Sequence, residues 1–284
     1  MTVITFSILV FMVSAVAGCL GALTGLGGGV ILVPVLVLGF NCDIHYAAGA
    51  SLISVIATSS GAAAAFLKEG FSNVRIAMFL EVATTCGALL GAHLAGILNA
   101  SLIAVIFGLV MAYSAMGAFF PAKTAAAGNR SQVGQFAEIF RLQGQYRESG
   151  DHTSPAVSYQ VHRVGFGFAL MSVAGALSGL LGIGSGALKV LAMDRVMGLP
   201  IKVSTTTSNF MIGVTAAASA GVYLRRGYVD PALAMPVMLG VLAGSFIGAR
   251  LLPRAKSLTL RRLFGVVLLL VALEMIYKGI CGGL

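Results

Sequence analysis

Eight stretches of this chain are apolar over about 18 residues or more: 3–23, 46–67, 76–98, 102–120, 164–181, 203–224, 232–252 and 263–280. A helical run of about 20 apolar residues matches the ~30 Å hydrocarbon thickness of a bilayer. In lipid each such run must satisfy its own backbone polar groups, which leaves helices as the answer for runs of this length. Charged residues make up 10% of the chain and hydrophobic ones 58%, with mean hydropathy +0.98. A soluble domain carries about 25% charged residues. The expectation is an all-α polytopic membrane protein embedded in a lipid bilayer, with spans that nearly fill the chain.

Net charge is +9. In a membrane protein this excess marks the cytoplasmic side rather than a nucleic-acid partner. Cys19, Cys42, Cys86 and Cys281 are scattered without a CxxC pair and read as small hydrophobes. The stretch VAGC at 16–19 imitates a lipoprotein processing site, but no Lys or Arg precedes it, so 3–23 reads as a retained span.

Shifted by 157 residues, the chain matches itself without a gap from about Ser14 to Tyr113. Gly25, Gly27 and Gly29 fall on Gly182, Gly184 and Gly186; Ser51 falls on Ser208, Thr58 on Thr215, Gly87 on Gly244 and Gly91 on Gly248. Internal repeats are a common plan in secondary transporters. Each repeat has five apolar segments, in the first repeat roughly 3–24, 26–40, 46–67, 74–98 and 101–120. The second is short: fifteen helical residues rise only ~22 Å.

Charge separates the topologies. If all five segments cross, fourteen Lys and Arg collect on one face, Arg225, Arg226 and Lys278 on the other, and Lys189 lies inside the membrane. If the short segment is re-entrant, the split falls to about 10 against 7, so the positive-inside rule favours five crossings. An odd number turns the second repeat upside down. The expected organisation is a first transmembrane repeat at 1–120, a cytoplasmic linker at 121–162 and a second repeat at 163–284. The two repeats are inverted and both termini lie outside. The linker, the one long polar stretch, reads as a plain connection with a short surface helix.

Gly25-Leu26-Gly27-Gly28-Gly29 and Gly182-Ile183-Gly184-Ser185-Gly186 each end one helix and begin a short one. A glycine run lets the backbone leave helical geometry. Within a membrane this is tolerated where protein or a watery cavity surrounds it. The N-terminus of the following helix then offers free N–H groups and a positive dipole end to an anion. Two such breaks at corresponding positions point to a transporter substrate site; the competing use of such glycines is close helix packing. Gly27, Gly28, Gly29, Gly184, Ser185 and Gly186 are therefore candidate substrate-binding residues. Ala48-Gly49-Ala50-Ser51 opens the third segment, and Thr205-Thr206-Thr207-Ser208-Asn209 is its partner. Ser51, Thr207, Ser208 and Asn209 add donors for an oxyanion without fixed charge; the bland alternative is capping and interhelical bonding.

Charged groups inside spans are functional hypotheses by default. Lys189 sits in the first turn of the second short helix, where a cation is unfavourable unless an anion visits. It is a candidate anion ligand, against snorkelling to the interface. Glu81 and His93 are the candidate coupling residues, the carboxylate for a proton and the imidazole because it titrates near neutral pH. No HExxH, GxSxG or GxxxxGK[ST] is present, so no catalytic residue, nucleotide site, metal site or cofactor is expected.

These motifs resemble the sulfite exporter TauE/SafE family of bacterial membrane permeases. The first repeat reads GLGGGVILVP, AAGASL and FLKEGFSNVRIA. The second reads GLLGIGSGALKVLAM, GLPIKVSTTTSNFMIGVTAA and YLRRGYVDPALAMPVMLGVLAGSFIGARL. The chain departs from the family pattern at Ser185, where a third glycine is usual, at Leu191, where proline is usual, and at Ala50, in place of a threonine. The resemblance implies a multi-pass protein of the bacterial inner (plasma) membrane. It would move sulfur-containing anions such as sulfite or an organosulfonate like sulfoacetate. The residues alone leave another small anion, a metal cation, or a sensor or assembly role open. The oligomeric state also stays open, a homodimer included.

Overall fold

The computed structural model describes residues 3–24, 28–69, 73–119, 142, 144–147, 156–159, 161–251 and 257–281. Each long apolar run is a helix: α1 (Val3–Thr24), α3 (Ile44–Glu69), α4 (Val74–Ala95) and α5 (Ala100–Phe119) in the first half; α6 (Val164–Leu181), α8 (Ile201–Arg225), α9 (Pro231–Leu251) and α10 (Ser257–Cys281) in the second. Two short pieces separate them. Helix α2 covers Gly29–Pro34 and continues as a π-helical turn over Val35–Gly39; α7 covers Gly186–Leu191 and continues the same way over Ala192–Val196. Each short piece, with its π turn, rises only ~16 Å, about half the hydrocarbon core. Windows in α1, α4, α6 and α9 are by themselves long and apolar enough to cross a membrane. The molecule is an all-α multi-pass membrane protein, apart from one small hairpin.

The short pieces correct the expected boundaries: α2 begins at Gly29 and its π turn ends at Gly39, inside the 26–40 segment. Pro34 lacks an N–H and so removes one α-type bond. Its counterpart Leu191 precedes the same π turn, so proline is not the cause. Both pieces instead close identically. Asn41 and Gly198 take left-handed φ of 50° and 72°, and the N–H of the next residue donates back into the turn (Cys42 to Leu36 O at 3.1 Å, Leu199 to Met193 O at 3.0 Å).

Helices α3 and α8 pack on each other at the centre, flanked by α1 against α9, α4 against α6 and α5 against α10. Swapping the two halves maps this set onto itself. Glycines set the closest crossings. A Cβ on Gly175 or Gly179 would strike the carbonyl of Thr84 or Ala88, and the pairs run the same way along both helices, so α4 and α6 are parallel. Gly240 and Gly244 meet the carbonyls of Phe11 and Ala15 in the same sense, making α1 and α9 parallel. Asn73 bonds Thr207 and Glu81 bonds Thr215, eight residues on in each chain segment, so α4 is also parallel to α8. Lipid-facing positions are large and apolar: Ile4, Ile8, Met12 and Val16 line the outside of α1, and Val173, the counterpart of Val16, does the same on α6.

Most of the 121–162 linker lies outside the described residues. What is described departs from a plain linker. Strands β1 (Gly144–Arg147) and β2 (Ala156–Tyr159) pair antiparallel, with Gly144 opposite Tyr159. Leu142, Tyr159 and Val161 are buried against Ile76, Met193, Met197 and Val203, where α4 and α8 begin and α7 ends. Tyr159 and Val161 carry this seat, but at strand length such an apolar alternation is a short signal.

Candidate functional site

The second break is fully described. Helix α6 stops at Leu181 because Gly182 turns left-handed at φ 70°; after Ile183 the chain turns left-handed again at Gly184 (φ 71°) and Ser185 (φ 43°), and α7 starts at Gly186. Ser185 holds with a side chain a conformation that glycine adopts freely. In the first break, Gly27 lies outside the described residues, and Gly28 and Gly29 are buried at the start of α2.

The fold brings the two breaks together. A Cβ built on Gly29 would lie 2.6 Å from Ser51 Oγ and 3.5 Å from Ile183 Cα; one on Gly184 would touch Ile212 and Val55. Ser51 and Val55 lie 7 and 11 residues into α3, ~10–17 Å along its axis. The meeting point is therefore well inside the length of α3, flanked by the central pair α3 and α8. The Ala48–Ser51 and Thr205–Asn209 clusters do not open their helices, as the sequence suggests, but sit in the second turn and beyond. Their hydroxyls are thus not helix caps.

Two hydroxyls, one beside each break, stand idle. Ser51 and Ser185 are 0% and 3% exposed, and neither Oγ has a hydrogen-bond partner among the described residues. Leaving a buried donor unpaired costs about 1–3 kcal/mol, which a bound acceptor would recover. Ser208 Oγ donates to Gly186 O at 3.2 Å, tying α8 to the first residue of α7. Gly29 has no side chain for a direct reason: a Cβ there would take the space beside the Ser51 hydroxyl.

Lys189 is fully buried, and its Nζ donates to Thr215 Oγ1. The same Thr215 oxygen lies 2.8 Å from Glu81 Oε1 and 2.9 Å from Met211 O. Glu81, 9% exposed, also accepts from Thr85 Oγ1 at 3.1 Å, while its Oε2 is buried with no partner among the described residues. The cation at the start of α7 thus has a resident counter-charge, reached through a threonine. Glu81 faces Lys189 across the bundle rather than a basic neighbour at the membrane edge.

The other predicted residues sit apart. Thr207 is buried and accepts from the Asn73 N–H at 3.3 Å, at the linker end of the bundle. Asn209 is half-buried on α8. His93 is exposed near the end of α4, its Nδ1 3.3 Å from Arg226 Nη2, ~18 Å along the helix from Glu81. Among the described residues no cluster of His, Cys, Asp and Glu forms a metal site. Sequence reasoning missed Thr215, whose sole signal was its match to Thr58. It also missed His45, which bonds Asp43 and the Ala95 carbonyl, both at 2.8 Å, and lies beside the Tyr228 ring.

Comparison with known proteins agrees with this architecture. The chain is 28% identical to the probable membrane transporter protein YunE of Bacillus subtilis (strain 168), over 97% of this chain and 99% of that one. It is 26% identical to the probable membrane transporter protein YdhB of the same organism, over 85% and 89%. It is also 26% identical to a probable membrane transporter protein of Xylella fastidiosa (strain 9a5c), over 91% and 90%. No solved structure matches the chain. The family profile described as sulfite exporter TauE/SafE matches residues 10–275, nearly the whole chain, which therefore belongs to that family.

Proposed function

We propose that this chain is a secondary transporter of the inner membrane that moves a sulfur-containing oxyanion, sulfite or an organosulfonate such as sulfoacetate, by alternating access. The single observation that carries the anion site is the pair of buried, idle hydroxyls, Ser51 and Ser185, one beside each glycine break. Neutral donors suit a cargo that must leave as well as bind. Gly28, Gly29, Gly184 and Gly186 let the surrounding elements approach closely there, and Ser208 and Lys189 complete the surroundings. Gly27, Thr207 and Asn209 belong to the same proposal at its margins.

Inverted halves are part of this reading. Helix registers support it: α9 runs with α1, α8 returns against α9, α4 runs with α8 and α6 with α4, which sets α6 against α1. The family description supports sulfur as the cargo chemistry, and the relatives' names support transport. With no nucleotide motif in the chain, the driving force is an ion gradient or the anion's own. The test is thermal stabilisation of the purified protein by sulfite, sulfoacetate, sulfate and chloride, since a ligand that binds the folded state raises its melting temperature. A shift with sulfite or sulfoacetate that shrinks in Ser51→Ala and Ser208→Ala supports the site. Equal shifts in wild type and both variants sink it.

A further inference from the structure

We infer that Glu81, Thr215 and Lys189 form a proton site that takes up one proton with each bound anion, balancing one of its negative charges. This rests on the anion reading above and adds the coupling ion and its stoichiometry.

Three observations carry it. First, the pair is compensated and enclosed: Lys189 is fully buried, Glu81 nearly so, and a single hydroxyl links them. Two opposite charges there sum to zero. Bringing an anion to the start of α7 adds an uncompensated negative charge to a low-dielectric region, which is costly unless the site neutralises itself. Protonating Glu81 does so, because Lys189 then serves as the counter-ion of the cargo.

Second, the hydrogen-bond geometry accommodates both states of Glu81. A hydroxyl has one donor and two acceptor lone pairs. With Glu81 ionised, Thr215 accepts from Lys189 and donates to Oε1 at 2.8 Å. With Glu81 protonated, Thr215 accepts from both Lys189 and the carboxylic O–H. Its own proton turns to Met211 O, already at 2.9 Å. No heavy atom has to move. Third, Oε2 is buried without a partner among the described residues, as an oxygen would be whose occupant comes and goes.

The surroundings leave Glu81 as the group that titrates. Helix α6 has no titratable side chain between 164 and 181. Helix α8 presents Thr215 there, with its charged residues Lys202 and Arg225 near its two ends. On α7 the π turn carries Asp194, half-buried, and Arg195, exposed. On α4 itself, Arg75 and His93 are exposed towards the ends, and Thr84 and Thr85 complete the local shell. Lys189 is the charged side chain that acts on Glu81. The device has no repeat-related copy: Leu32, Thr58 and Met238 occupy the positions that correspond to Lys189, Thr215 and Glu81.

The test is calorimetric titration of the purified full-length protein with methanesulfonate, a monoanion that does not titrate near neutral pH. It is run in buffers of different ionisation heat so that bound protons are counted. Wild type is expected to take up close to one proton per anion at pH values between the midpoint of Glu81 in the empty protein and its higher midpoint with anion bound, and Glu81→Gln close to none. Thr215→Val, which keeps both charges, is expected to move the pH of half-uptake, with Thr215→Ser restoring it. Binding by wild type without proton uptake anywhere between about pH 5 and pH 9 overturns the inference and leaves the anion site standing. Failure of methanesulfonate, sulfite and sulfoacetate all to bind overturns the transport reading and this inference with it. If Glu81→Gln does not fold, the wild-type proton count alone still decides.

Discussion

Replacing Lys189 by methionine keeps its bulk and deletes a cation from a place water does not reach, leaving Glu81 as a lone buried charge. The hydrogen bonds from Nζ to Thr215 and from Thr215 to Oε1, 2.5 Å and 2.8 Å long, hold the two charges at most about 5.3 Å apart. At an effective dielectric of about 20, that separation is worth about 3 kcal/mol. Removing one member of a buried pair costs about 3–5 kcal/mol, because the survivor is left uncompensated. Lys189→Met and Glu81→Gln should therefore each be strongly destabilising. The double variant should cost about 3 kcal/mol less than the two singles added together. The assay is reversible unfolding by SDS in mixed lipid–detergent micelles, followed by circular dichroism, on all four members of the cycle. Additive losses, or single losses under about 1 kcal/mol, would refute the coupling and with it the argument for a shared charge.

Ser51→Ala removes an unpaired hydroxyl, so stability should change by less than about 0.5 kcal/mol or rise, while affinity for the stabilising anion falls roughly tenfold; melting curves with and without ligand read both. Gly91→Val and Gly175→Val should abolish folding, since even a Cβ at these positions meets a backbone carbonyl across the α4–α6 crossing; yield of monodisperse protein checks this, and normal yield would contradict the crossing. Tyr159 lies in the linker and donor Asn73 Nδ2 bonds its hydroxyl at 2.7 Å; burial, partly offset by that bond, raises its titration above the usual phenol range. A raised folded pKa means its contribution to docking is complete below about pH 10 and is lost as pH rises through the folded value. Hydrogen exchange of 156–159 should therefore quicken at high pH in wild type, and Tyr159→Phe should remove that dependence.

The membrane class, the ten helical segments and the paired breaks were legible because each rests on a local pattern: apolar run length, or glycines in a fixed register. The sequence reading also named Ser51, Ser208, Lys189 and Glu81, since hydroxyls beside a break and charges in a span stand out against an apolar background. It could not see that Glu81 and Lys189 face one another, because they lie on different halves and meet through Thr215, one hydroxyl among many on α8. Thr207 looked equivalent to Ser208, yet one residue of a helix turns a side chain by ~100°, and Thr207 faces Asn73 instead. The hairpin was hidden because four-residue strands leave no periodic signal above a polar background.

The left-handed Ser185 has an energetic consequence. A side chain held at φ 43° raises the energy of the second break, a cost that glycine would not carry. Any motion that lets residue 185 relax to negative φ is therefore favoured by this chain relative to a glycine-bearing one. The break behaves as a lightly loaded spring at the start of α7. Its release would move Gly186 and, one turn on, Lys189. Ser185→Gly should therefore relieve the strain of this break and raise the melting temperature of the protein, and an unchanged or lower melting temperature would contradict the strain.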